Sequence, residues 1–593
     1  MQTKVLGYIQ KTKQCALLLM LRKPSLFSVI VLFFVSCLLM LPIWRLGLPI
    51  NAHDAKVHAS WQYYFSTQLW AGDIYPKWLA DMNEGLGSPS FFIYPPLSQY
   101  IASLLAPFSD STAWVYQRIG IATTVAFFLS GVGTFLWLRK ATHNQTSALV
   151  GALVFLASPY HLFIDTYYRA AYAELWAFAW APFSILAVHL FRSHVKIGLI
   201  VYTVSTSALL FTHAPSCIVL LPLYIAYATL LSVIYKNKQV FLWTCLASCI
   251  AIMIAGAYLS TALTHQENIN IAALFNGELD FSRFLLFATG KWSNKSMEMG
   301  ITGTALFQLC VITLLGIFVI RRELLNRNRQ ILAGFTVAIA IITFFMMTSF
   351  SEPIWRAIPI LQKIQFPWRL LLAQTICLAL ITSLFSVSVR SGSQVNRRRI
   401  EYYISPIVML ALLGINLAMT SFTAPKFSPS APLRVRDAPE YHLGSIVQSN
   451  ELFKDNETSR VLSGNGKVKI ISMAPRSIRI HVESSTPLRF IVRHFYYPGW
   501  ECTIFPGQPP CSVGKYEKRT PLITIDTGAG DQVLTIRMAP SLYEQIGFYA
   551  SLAGLWLLGG LCIFLPASGP NDKVSLIKAQ GTTAVTSRNV ERY

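Results

Sequence analysis

From the N-terminus to about residue 420, long apolar runs alternate with short polar turns. A helix crossing a bilayer core needs about 20 predominantly apolar residues. Twelve runs approach that length: 26–46, 113–138, 147–165, 174–191, 197–212, 217–234, 240–259, 301–320, 331–349, 370–389, 402–420 and 545–566. They predict a polytopic α-helical membrane protein with about 12 transmembrane helices. The first run is long and lacks a small-residue cleavage site, so it reads as a span rather than a removed signal. Between 421 and 540 the period shortens to two. Ile478, Ile480 and Val482 alternate with Ser477, Arg479 and His481. Similar runs at 467–472, 488–495, 521–526 and 532–538, separated by turns such as Pro498-Gly499, predict a β-sandwich or jelly-roll domain. The expected organisation is a transmembrane module over 1–420, a β-rich domain over 421–540, and a last span with its tail over 541–593.

Composition agrees with that pattern. Of 593 residues, 53% are hydrophobic and 13% charged, about half the charge of a soluble protein. The net charge of +22 first suggests a nucleic-acid partner, but its distribution argues otherwise. With the N-terminus taken as cytoplasmic, the inward segments are 1–23, 139–145, 192–196, 235–238, 321–329, 390–400 and 567–593. They hold 23 basic and three acidic residues, +20 of the total. The charge therefore reads as orientation signal. Both termini are expected to be cytoplasmic and the β-domain extracytoplasmic, with membrane lipids as partners and no nucleic acid. Long outward loops at 47–112, 259–300 and 350–369 then become the places to look for function.

Several of those loops carry chemistry-bearing residues. In Asn51-Ala-His53-Asp54-Ala-Lys56-Val-His58, helical spacing puts 54, 58, 61 and 65 on one face. Asp54, His58 and Trp61 would point together, a carboxylate beside an imidazole suited to deprotonating a hydroxyl. The bland alternative is that Asp54 caps the helix. Trp78, Phe91 and Phe92 read individually as interfacial aromatics. Asp165, Arg169 and Glu174 lie at a span boundary, where unpaired charges are costly; Arg169 could simply pair with Asp165. His213 sits alone between two spans. Arg283, Lys291 and Lys295 mark one later loop, and Arg356, Lys363 and Arg369 the next. A guanidinium fork suits phosphate, which makes Arg369, Arg169 and Arg283 candidate phosphate ligands. Cys502 and Cys511 flank a Gly/Pro loop, and a disulfide between them fits an oxidising compartment. No phosphate-binding glycine loop occurs.

The motifs His53-Asp54-x3-His58, Tyr75-Pro-x-Trp78 through Tyr94-Pro95-Pro96-Leu97, Tyr168-Arg169-Ala with Glu174, Thr212-His213-Ala-Pro215, Gln365-Phe-Pro-Trp368-Arg369 and Tyr496-Tyr497-Pro498-Gly499-Trp500 run in order through nearly the whole chain. The sequence resembles bacterial multi-span membrane glycosyltransferases of the GT-C fold class, especially the YfhO-like group. It is also similar to membrane proteins labelled "6-pyruvoyl-tetrahydropterin synthase-related", a label that implies no pterin chemistry. The resemblance implies a bacterial inner or plasma membrane location, a polyprenyl-phosphate-linked sugar donor, and an extracytoplasmic glycan, lipid or protein acceptor. It puts an essential acid at Asp54, assisted by His58, and a second acid at Asp165 or Glu174. His53, Trp61, Tyr75, Tyr94 and His213 are the expected donor or acceptor pocket. There is no clear Asp-x-Asp pair, so a divalent metal is left open and no cofactor is expected. Two competing readings use the same spans: a transporter or flippase of lipid-linked glycan, and a non-catalytic envelope-glycan assembly factor.

Overall fold

A computed structural model describes residues 24–108, 113–270, 275, 277–288, 292, 294–322, 326–390, 398–423, 425–428, 433, 435–454, 457–503 and 510–565. The expected inward segments 1–23 and 567–593 and Lys291 lie outside the described residues. All twelve apolar runs fall on helices. Among the described residues nine helices are long and apolar enough to cross a membrane, from Trp114–Thr142 to Leu542–Phe564. The run at 240–259 is broken: Gln239–Ile254 and Gly256–Thr264 meet at 67°, and counting them as one span gives ten. The first and eleventh runs hold shorter apolar stretches, Ser25–Leu39 and Ile407–Ala418. The chain is a multi-pass membrane protein. Pro367–Ser388 is surrounded on all sides by protein, whereas Leu542–Phe564 lies at the periphery.

The broken helix shows how backbone polarity is satisfied in such a setting. A bend frees N–H and C=O groups, and hydrocarbon offers them no partner. Ser551 of the last span supplies one: its hydroxyl donates to Ile254 O (2.8 Å) and accepts from Ala257 N–H (2.8 Å). The two helices approach closely enough for this because small residues meet between them. A Cβ on Gly547 would lie 2.5 Å from Gly256 O, and one on Gly256 2.9 Å from Gly547 O.

The long loops gather at one end of the bundle. Leu48–Pro49 pairs with Phe427–Ser428, tying the exit of the first helix to the segment after the eleventh. Strands β1 (Ser459–Ser463), β2 (Gly466–Ala474), β3 (Ser477–Ser484), β4 (Leu488–Phe495), β5 (Trp500–Thr503), β6 (Cys511–Lys515), β7 (Leu522–Thr527) and β8 (Gly530–Met538) form two antiparallel four-stranded sheets. Their orders are β2-β3-β8-β5 and β1-β4-β7-β6. Ile478, Ile480 and Val482 are fully buried, as their period predicts, in one core with Phe490, Val492 and Ile525 of the other sheet. Cys502 and Cys511 form a disulfide with Cα atoms 5.9 Å apart, joining β5 of one sheet to β6 of the other.

The first loop corrects one expectation. Trp78, Phe91 and Phe92 are not interfacial aromatics; all three are buried in protein. Trp78, Leu86 and Phe92 complete the apolar core of the β-domain. The reason is that this loop is packed beneath the sheets. Trp78 Nε1 donates to His494 Nε2 (2.9 Å), which leaves Nδ1 to carry the ring proton toward Gly85 O (3.3 Å). Lys77 Nζ meets Glu544 of the last span at 2.8 Å, both side chains buried. His265 Nε2 lies 3.8 Å from the same carboxylate, and its Nδ1 is 2.9 Å from Tyr497 Oη. First loop, bent helix, β-domain and last span are thereby fastened at one point.

Two outcomes follow. Burial pushes the His494 ring down to about 4 from an ordinary 6.5, against the smaller upward pull of the Gly85 carbonyl. Between those values the unfolded chain binds more protons, so this contribution is full above pH 6.5 and declines as pH falls toward 4. Thermal unfolding across that range should show the decline. His494→Gln should flatten it in part, since burial lowers His58 and His265 as well. Separately, Cys502→Ser should lower β-domain stability by about 2–3 kcal/mol, the range for a short closed loop, read by denaturant titration of the purified protein.

Candidate functional site

The polar end of the site is built from buried ion pairs. Asp165 sits near the end of a π-helical segment, Tyr160–Tyr168, where Arg169 N–H reaches Ile164 O (2.8 Å), five residues back. Such segments are rare and often occur at functional sites. Ala170 follows in the left-handed region (φ 55°), turning the chain into the next span, whose first turn carries Glu174. The turn brings Arg169 Nη1 to 2.7 Å from Asp165 and 2.9 Å from Glu174. Glu174 Oε2 also accepts from Arg369 Nε (3.2 Å), and Oε1 accepts from Tyr160 Oη (2.6 Å). His213 Nε2 lies 4.0 Å from Oε2. Arg369 Nη1 donates to Ile364 O (2.6 Å) across a turn that puts Gln365 at φ 68°.

Asp54 is attached to this cluster through the backbone, its N–H donating to Arg169 O (3.0 Å). It stands at the start of the Ala55–Trp70 helix, yet its carboxylate makes no capping hydrogen bond. The capping alternative therefore does not account for this residue. His58 is one turn on and buried. Burial pushes its ring down to about 4, against the pull of Asp54, so it is neutral at pH 7.

These residues line a cavity of about 950 Å³ with two kinds of wall. The polar part has His53, Asp54, His58, Arg169, His213, Lys363 and Arg369. Above the guanidiniums lies an aromatic group. Arg369 sits 4.9 Å from the Phe366 ring, and Phe366 and Trp368 stack at 4.5 Å. Trp61 and Tyr94, with ring centroids 4.5 Å apart, form another wall. The apolar part comes from the two helices around His213 and from the bent pair, through Leu210, Ile218, Leu221, Ile252 and Leu259. Ile252 and Leu263 are exposed and line this apolar part.

Of the residues singled out in the sequence, His53, Asp54, His58, Trp61, Tyr94, Arg169, His213 and Arg369 come together on this cavity. Asp165 and Glu174 lie behind the arginines as their counter-ions. Two residues fall elsewhere. Tyr75 is half-buried near Lys77, with the nitrogen 4.9 Å from its ring centroid, and does not line the cavity. Arg283 is also outside the lining, its Nη1 3.3 Å from Gly277 O. Sequence reasoning missed Tyr160, hidden inside an apolar run, and the linker at 437–441. That linker walls the cavity with Ala438, Glu440 and Tyr441. Asp437 accepts from Trp61 Nε1 (2.8 Å) and from the hydroxyls of Ser88 and Ser90, fixing the indole. The signal was present: charged and aromatic residues in an otherwise Pro-rich exit. Among the described residues no group of three or more His, Cys, Asp or Glu side chains is placed to hold a metal ion.

No protein-family model matches the chain, and no curated protein sequence matches it. Among solved structures it is similar to the crystal structure of ArnT from Cupriavidus metallidurans bound to undecaprenyl phosphate. The identity is 9% and the TM-score 0.29, over 77% of this chain and 97% of that one. A likeness at that score decides neither fold family nor activity.

The geometry separates the acids by task. Removing Glu174 leaves Arg169 and Arg369 with less than their buried countercharge, and breaking such pairs costs about 3–5 kcal/mol. Glu174→Ala should therefore lower the melting temperature of the purified protein sharply. Asp54→Asn, which breaks no side-chain bond, should leave it nearly unchanged.

Proposed function

We propose that this protein is a membrane glycosyltransferase of GT-C-like architecture, moving a sugar from a polyprenyl-phosphate-linked donor to an acceptor hydroxyl. The observation that carries the reading is one cavity joining an apolar wall to paired arginines, with Asp54 and a neutral His58 among its lining. A polyprenyl chain fits the apolar wall. The phosphate fits the arginines. Among the described residues Nη2 of Arg169 and of Arg369 makes no hydrogen bond to protein, so each fork keeps donors for a phosphate oxygen. Among the described residues Lys363 has no carboxylate partner; its Nζ donates to the Gln266 amide oxygen (3.1 Å). Glu174 and Asp165 hold the guanidiniums in place instead of taking protons.

In the proposed reaction the acceptor oxygen attacks the anomeric carbon while the bond from that carbon to the phosphate oxygen breaks. The electron pair leaves on the phosphate, stabilised by Arg369, Arg169 and Lys363. The acceptor proton passes to the Asp54 carboxylate. Trp61 and Tyr94 offer a flat wall of the kind sugar rings pack against. The boundaries 1–420, 421–540 and 541–593 belong to this proposal, as do the extracytoplasmic placement of the β-domain and the bacterial plasma-membrane location.

General acid–base catalysis contributes roughly 10²–10⁴ in rate. Asp54→Asn should lose that much kcat with folding intact, measured as transfer from a purified lipid-linked donor in proteoliposomes. Arg369→Ala should raise the donor KM, and Arg369→Lys should recover part of it. Near-normal transfer by Asp54→Asn would end the case for Asp54 as the base and move it to Glu174 or Asp165, whereas absence of transfer by the wild-type protein would favour the flippase or assembly-factor reading.

A further inference from the structure

His58 also lines a second and much smaller cavity, of about 20 Å³. Its walls come from the first loop, the Ala113–Thr142 helix and the Tyr172–Leu190 helix. A cavity needs roughly 10–15 Å³ to hold one water, together with two to four polar partners. This one has three. His58 Nδ1, Ser98 Oγ and Tyr172 Oη are each buried and, among the described residues, each without a hydrogen-bond partner, and all three residues line it. The parent side chains are 4%, 7% and 6% exposed. The His58 and Tyr172 rings stand 5.6 Å apart. A fourth hydroxyl on the wall, Thr123, is satisfied by Ile119 O (2.8 Å) and keeps its lone pairs. Three orphaned polar atoms around one water-sized space are a costly arrangement if the space is dry.

We propose that one buried water occupies this cavity, bonded to His58 Nδ1, Ser98 Oγ and Tyr172 Oη, and that Ser98 and Tyr172 are positioning residues for the His58 ring. The water accepts a hydrogen bond from Nδ1–H and donates to the two hydroxyl oxygens. That bond fixes the neutral tautomer, so Nε2 carries the lone pair. The ring then serves Asp54 as an oriented acceptor in the sugar-transfer site. This last role rests on the function proposed above; the water site does not. Weakening the water's other bonds makes it a poorer acceptor for Nδ1–H and so disfavours the imidazolium. Loss of Tyr172 Oη or Ser98 Oγ should move the His58 titration to lower pH.

Three measurements on the full-length protein in nanodiscs test this. Cryo-EM maps that resolve waters should show one density peak about 2.7–3.2 Å from all three atoms; an apolar void, or direct pairing of the three side chains, overturns the site. With His58 assigned by the loss of its signals in His58→Gln, ¹⁵N-histidine NMR should report the Nδ1–H tautomer. In Tyr172→Phe and Ser98→Ala the titration should shift to lower pH. An Nε2–H tautomer, or an unshifted titration, overturns the positioning role. In the transfer assay the double variant Ser98→Ala/Tyr172→Phe should lose about tenfold in kcat, a fraction of the 10²–10⁴ that acid–base catalysis is worth. Donor KM should be unchanged and the acid limb of the pH profile should move down. A raised KM with unchanged kcat would mark these residues as structural. If wild-type protein transfers no sugar, the glycosyltransferase reading fails, while the density and the NMR titration still decide the water site.

Discussion

Everything at the candidate site depends on Glu174 holding two guanidiniums at once inside a helical bundle. A buried carboxylate or guanidinium alone is too costly to persist, so the chain is bent to bring the partners together. The π-helical segment at Tyr160–Tyr168, the left-handed Ala170 and the left-handed Gln365 all serve that convergence. Glu174 lies in the first turn of its helix, where the helix dipole also favours a negative charge. Because the Asp54 backbone is bonded to Arg169 O, the position of the acid follows from the same cluster. The two guanidiniums therefore have their positive charge compensated from behind, with donors left over in front.

Much of this was legible in the sequence, for physical reasons. Apolar run length is a direct consequence of bilayer thickness, and every run fell on a helix. Period-two alternation at 477–482 marks one face of a strand, and that face is buried. Charged residues at a span boundary announced Asp165, Arg169 and Glu174, because hydrocarbon tolerates them only when paired or used. The i, i+4 spacing of Asp54 and His58 put both on one cavity.

What stayed hidden is what the chain closes in space. Nothing local says that the first loop sits beneath the sheets, so Trp78 and Phe92 looked like interfacial aromatics when they are core. The linker after the eleventh helix looked like an exit from the membrane, yet Asp437 returns to hold Trp61, a partner 376 residues away in sequence. The cationic loops put Arg369 first as a phosphate candidate but left Arg283 beside Arg169 behind it. Arg369 reaches Glu174 while Arg283 folds back on its own loop, and the difference is a matter of where the turns point.

The last helix carries an implication for how the molecule is made. Leu542–Phe564 is synthesised after nearly everything it touches, and it brings Ser551 to the broken helix and Glu544 to Lys77. Until it arrives, a lysine waits without its countercharge and a bent backbone keeps open valences in an oily environment. Biogenesis thus has a late checkpoint written into it. Without this helix both polar defects stay open, and its docking closes them together.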